Sequence, residues 1–107
     1  MYIDFKELPE DARVWVYQCN RSFTEEEQQQ LHAQLEEYLN QWTVHGKDLL
    51  ASYELRYNRF IIIGANYGAH AISGCSLDAL VRFIQELEEQ YQVMLLDRMN
   101  VSYRQGE

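Results

Sequence analysis

The most reactive side chains of this sequence gather around one short stretch, SGCSLD, from Ser73 to Asp78. Cys75 is its nucleophile, and it stands at the predicted start of an amphipathic helix. There, unpaired N–H groups and the positive end of the helix dipole lower a thiol's pKa and raise its thiolate fraction. A working thiolate needs a base and a partner for developing negative charge. His45 and His70 are the candidate bases, and Ser76 with nearby backbone amides is the candidate oxyanion partner. The same turn also reads as an anion cradle, in which Ser73, Gly74 and Ser76 offer donors to a small anion at the helix N-terminus. A third reading requires no chemistry: cysteine is a small apolar residue that fills a tight, buried turn.

Neighbouring chemistries are excluded by spacing. A phosphatase-type C-x5-R loop is missed by one residue, because Cys75 to Arg82 is C-x6-R and the residues between read as helix. A P-loop, G-x-x-x-x-G-K-[ST], is missed as well: Gly68 to Gly74 is one residue too long, and Cys75 holds the lysine position. Without that charge a nucleoside triphosphate has no counter-ion, so ATPase activity is excluded. His32, His45, His70, Cys19 and Cys75 show no H-x3-H or C-x2-C spacing, so no metal site and no cofactor are expected. Glu36 and Glu37, like Glu86, Glu88 and Glu89, belong to wet helix faces. Asp97 and Arg98 interrupt an apolar strand, and a salt bridge at its rim is the simplest account of them.

Composition bounds the partners. The 107 residues carry 17 acidic and 9 basic side chains, a net charge of −8, with the lysines and arginines scattered. Displacing counterions from nucleic acid requires a basic patch, so no nucleic acid is expected, and anionic membranes are disfavoured for the same reason. The longest apolar run, Phe60 to Ile63, is far too short to span a bilayer. Two cysteines far apart in sequence fit a reducing compartment, so a cytoplasmic location is expected. Fourteen aromatic residues in so short a chain point to an aromatic core or interface. The length suits one domain, residues 1–107.

Six elements must position these residues. RVWVYQC, Arg13 to Cys19, reads as a central strand. Thr24 and Glu27 write a capping box, and Leu31, Leu35, Tyr38, Leu39 and Trp42 form the stripe of the helix that follows. Gly46 is the expected terminator of that helix. LASYELRY alternates, and RFIIIGAN follows so closely that Tyr57 to Arg59 must hold a tight hairpin turn, with Asn58 at positive φ. The second helix carries Leu77, Val81, Ile84, Leu87 and Tyr91 inward, and VMLLDRMNVSY is the last strand.

The order β-α-β-β-α-β predicts an α+β fold of the ferredoxin-like kind: a four-stranded antiparallel sheet with both helices on one face. In that topology the strand leading into the second helix runs opposite to the first. His45, His70 and Cys75 then share one rim, while Cys19 lies at the other and forms no disulfide with Cys75. One sheet face is left without helices. Trp15 and Tyr17 are the expected interface residues there, covered by a second copy of the chain or by a further segment.

MYIDFKELPEDARVWVYQCNRSFTEEE, WTVHG, YNRFIIIGA, SGCSLD, VRFIQELE and LLDRMNVSYRQGE together resemble a set of small Bacteroidetes proteins often labelled "ABC transporter ATPase". The resemblance covers essentially the whole chain. It implies no catalytic or binding residues, and the sequence contradicts the label, having no Walker A lysine and no ABC signature. Members of the set usually continue past QGE, so the resemblance implies a C-terminal segment that covers the open sheet face. The expected function is a non-catalytic interaction or ligand-binding domain, homodimeric through that face. The competing expectation is a thiol-dependent enzyme or redox sensor built on Cys75.

Overall fold

The structure, a computed structural model, describes residues 1–10, 12–44, 47–66 and 74–102, with backbone alone at 44, 47, 48, 74, 75 and 98–102. A single 3-10 turn at Phe5–Glu7 precedes β1 (Arg13–Cys19), α1 (Glu25–Gln41), the short strands β2 (Thr43–Val44) and β3 (Lys47–Asp48), β4 (Leu50–Arg56), β5 (Phe60–Asn66), α2 (Gly74–Tyr91) and β6 (Leu95–Ser102). The main sheet is antiparallel throughout, in the order β4-β5-β1-β6. The fold is therefore α+β, with two helices and a four-stranded antiparallel sheet. No helix among the described residues is long and apolar enough to cross a membrane.

The capping box forms as written: Thr24 Oγ1 accepts from Glu27 N at 3.1 Å, and Glu27 Oε1 accepts from Thr24 N at 2.9 Å. Arg21 reinforces this start by donating to both Glu27 oxygens, at 2.8 and 2.9 Å, and to the carbonyl of Tyr91 at 2.9 Å. One guanidinium thus ties the beginning of α1 to the end of α2. Leu31, Leu35 and Leu39 are wholly buried, as their spacing requires.

Two local expectations change. Helix α1 stops at Gln41, with Trp42 already extended, before Gly46 is reached. The β-branched pair Thr43–Val44 prefers extended backbone and pairs with Lys47–Asp48. The Trp42 indole holds that exit in place by donating to Ser76 O at 3.0 Å. On α2, Leu80 is 1% exposed and Val81 50%, so the inward stripe runs Leu80, Ile84, Leu87, Tyr91. Those four sit at i, i+4, i+7 and i+11, one continuous row at 3.6 residues per turn, and Val81 falls about 100° off it. Between β4 and β5, Tyr57 and Asn58 both have φ 56°, and Arg59 N donates to Arg56 O at 3.0 Å. Two positive-φ residues are what a type I′ hairpin turn requires.

Register assigns the sheet faces. Trp15 is opposite Ile63 and Tyr17 opposite Ile61, and all four lie in the main core with the leucines of α1 and α2. Trp15 meets Trp42 edge-on with ring centroids 5.8 Å apart. Trp15 and Tyr17 are 4% and 6% exposed, so the expectation that they form an open aromatic interface is corrected. The larger aromatic residues went to the helix side, where two layers of apolar surface bury more area than a single segment can.

The other face has its own cover, from the N-terminal side. Phe5, Leu8 and Ala12 form a second cluster, with Ile3 and Ile62 packed against it. Gly64 makes room for them: a Cβ there would stand 2.7 Å from Leu8 Cδ1. The segment preceding β1, with its lone Pro9, thus supplies the cover that sequence reasoning sought from a second copy or a C-terminal segment. It does not reach the whole face.

Candidate functional site

The predicted site at the start of α2 is only partly visible. His45, His70 and Ser73 lie outside the described residues, and Gly74 and Cys75 contribute backbone alone. Ser76 is described, and it is structural: its Oγ donates to Thr43 O at 2.6 Å while its own carbonyl accepts the Trp42 indole. These bonds bring the β2–β3 segment against the first turn of α2, at the end of the sheet where Arg13 pairs with Ala65. Cys19 lies at the opposite rim, wholly buried and free, its backbone in register with Leu95. The separation of the two cysteines follows from β5 running antiparallel to β1. Among the described residues no three His, Cys, Asp or Glu side chains gather in the way a metal centre needs.

A different cluster is fully formed beside β4. Tyr53, buried on the helix side, donates its phenol proton to Glu36 Oε2 at 3.0 Å and lies 2.7 Å from His32 Nδ1. His32 and Glu36 are one helical turn apart on α1, so they present to the same neighbour. The Tyr2 ring leans on Tyr53 with centroids 5.5 Å apart, and Tyr2 N donates to Asn40 Oδ1 at 2.9 Å. Burial first, then the hydrogen bond and charge of Glu36, hold the Tyr53 phenol well above its ordinary pKa. Burial and then the carboxylates of Glu36 and Asp4 push Tyr2 the same way. Tyr2, His32, Tyr53, Glu54, Leu55 and Arg56 line a groove of about 460 Å³ here, with Glu54 and Arg56 paired at 2.8 Å. Sequence reasoning weighed His32 only as a metal ligand and missed this site. The i, i+4 spacing of His32 and Glu36 was readable; that Tyr53 would lie beneath them was not.

The third feature is the end of the second sheet face that no described residue covers. Register sets three rows across it. Ser52, Gly64 and Val14 are buried, Gly64 beneath Leu8 and Phe5; Glu54, Ile62 and Val16 are half-buried; Arg56, Phe60, Gln18 and Leu96 form the outermost row. Leu96 is 48% exposed. Beside that row the Tyr57 ring stands 82% exposed and meets Phe60 edge-on at 6.1 Å. A bulky residue at positive φ is costly, and here the strained turn holds an aromatic ring out in solvent.

No protein-family model, no curated protein and no solved structure matches the chain.

Proposed function

We propose that this chain is a non-catalytic interaction domain that pairs with a second copy of itself through the outer rows of the uncovered sheet face. The observation that carries the proposal is the row Arg56, Phe60, Gln18 and Leu96 with Tyr57 projecting beside it. Large apolar and aromatic side chains left in solvent on a flat surface mark interfaces, and Tyr and Arg are enriched among residues that dominate binding. Self-pairing suits the local charge. In a chain of net charge −8, Glu54 and Arg56 neutralise each other on this face, so two copies meet there without repulsion.

The same proposal includes a ferredoxin-like fold, which the strand order and the placement of both helices on one face support. The added β2–β3 pair is its departure from a plain β-α-β-β-α-β chain. It also includes a cytoplasmic location, on the separation of the two cysteines, and kinship with the small Bacteroidetes proteins, on the sequence stretches quoted above. The competing thiol reading rests on Cys75, His45 and His70, of which only the Cys75 backbone is described.

Sedimentation equilibrium tests the pairing. The wild type should behave as a dimer at tens of micromolar, and Leu96→Glu should weaken association at least about tenfold, since one buried, unpaired charge costs more than 1.4 kcal/mol. A wild type that sediments as a monomer at that concentration would refute the proposal.

A further inference from the structure

Strand β4 is an edge of the main sheet among the described residues, and the start of that edge is already in use. Ala51 N donates to Met1 O at 3.0 Å, and Ile3 N donates to Ala51 O at 2.8 Å, in a parallel bridge between Tyr2 and Ala51. The N-terminal segment then turns off into the 3-10 turn at Phe5. Backbone N–H and C=O groups alternate in direction along a strand, so Tyr53 and Leu55 aim theirs the same way as Ala51. They face the groove beside the edge. An edge that already accepts three residues of added strand is a template for more.

The groove selects what such a strand carries. Its walls are rich in acceptors. The Tyr53 phenol donates to Glu36 and lies 2.7 Å from His32 Nδ1. The Glu36 carboxylate accepts from the Tyr53 phenol and acts on Tyr2, and the faces of these two rings also attract cations. The one guanidinium on the lining, Arg56, is held by Glu54.

We propose that the β4 edge binds an extended peptide bearing lysine or arginine at alternate residues, added as a new strand beside Tyr53 and Leu55. Backbone hydrogen bonds supply the pairing. Alternate cationic side chains fall over the rings and Glu36, and the residues between them fall on the opposite face. The groove shares Glu54 and Arg56 with the outer rows of the second sheet face, so the proposal is read at Tyr53 and Leu55, which belong to neither row.

The test uses the full chain, labelled with nitrogen-15, and the capped peptide Lys-Thr-Lys-Thr-Lys. At about ten times the Kd, hydrogen exchange of the Tyr53 and Leu55 amides should slow about tenfold, because exchange then proceeds from the small unbound fraction. Two further peptides carry N-methyl groups, one on its lysines and one on its threonines. A strand turns only alternate N–H groups toward its neighbour, so one of the two should lose about tenfold in affinity and the other should not. Replacing the lysines by glutamates should cost at least about tenfold. Equal binding by both methylated peptides, equal binding by the glutamate peptide, or amide changes confined to other elements would overturn the proposal. So would protection of Tyr53 and Leu55 that rises with protein concentration in the absence of peptide, which would assign the edge to a second copy.

Discussion

On the helix side of the sheet, Ile61, Ile63 and Ala65 lie wholly buried beneath two helices, with Trp15 and Tyr17 between them. On the other side, burial fades across three rows, from Gly64 beneath Phe5 and Leu8 to Leu96 and Arg56 at the open end. The strands are the same on both sides; only the covers differ. A helix pair buries a face evenly, because each helix presents a long apolar stripe. A 3-10 turn and a few flanking residues bury only what they can reach. Stability is therefore concentrated on one side and surface for binding on the other.

That contrast breaks if the two covers prove energetically alike. The largest expected effect is on the helix side: Leu35→Ala should cost about 2–5 kcal/mol in urea unfolding, as deletion of a wholly buried leucine does. A loss comparable to that of a surface substitution would mean that the helix side is not the principal core. Gly64→Val, on the other face, should cost about 1–3 kcal/mol, because its Cβ must displace the tip of Leu8. Adding Leu8→Ala should return part of that loss, and strict additivity in the double mutant would show that the N-terminal cover does not bear on Gly64.

A smaller effect sharpens the comparison at the helix start. The Arg21 hydrogen bonds first, then the Thr24 backbone, pull Glu27 down to a pKa of about 2 from its ordinary value of 4.5. A carboxyl depressed on folding contributes stability that is fully present above its unfolded pKa and lost as pH falls through the folded one. Glu27→Gln should therefore cost about 1 kcal/mol near neutral pH, typical of a capping interaction. The gap between mutant and wild type should close between pH 4.5 and about 2. A gap independent of pH over that window would remove the charge from the account.

Legibility in the sequence followed the range of the interaction concerned. Thr24 and Glu27 are three residues apart, and their capping box forms as their spacing dictates. Asn58 takes the positive φ expected of it in the short hairpin turn, while the positive φ of Tyr57 was not read from the sequence. Val81 was misplaced for Leu80 because both fit a loose apolar count, and only the packed sheet says which side of α2 faces inward. Trp15 and Tyr17 were misassigned for the same reason: a strand that is apolar on both faces does not say which face the helices take. The groove was unreadable because Tyr2, His32 and Tyr53 come from three elements whose adjacency is set by the strand order.

The sequence by itself determined the elements: where α1 begins, where the β4–β5 hairpin turns, that both helices are amphipathic, and that no P-loop or metal spacing exists. These depend on contacts between residues a few positions apart, and local rules govern such contacts. Only the tertiary structure decided which sheet face was buried, that the lead-in before β1 covers part of the other, and that an aromatic groove opens along β4. Those outcomes are settled by competition for burial among distant segments, and the competition is resolved when the whole chain packs.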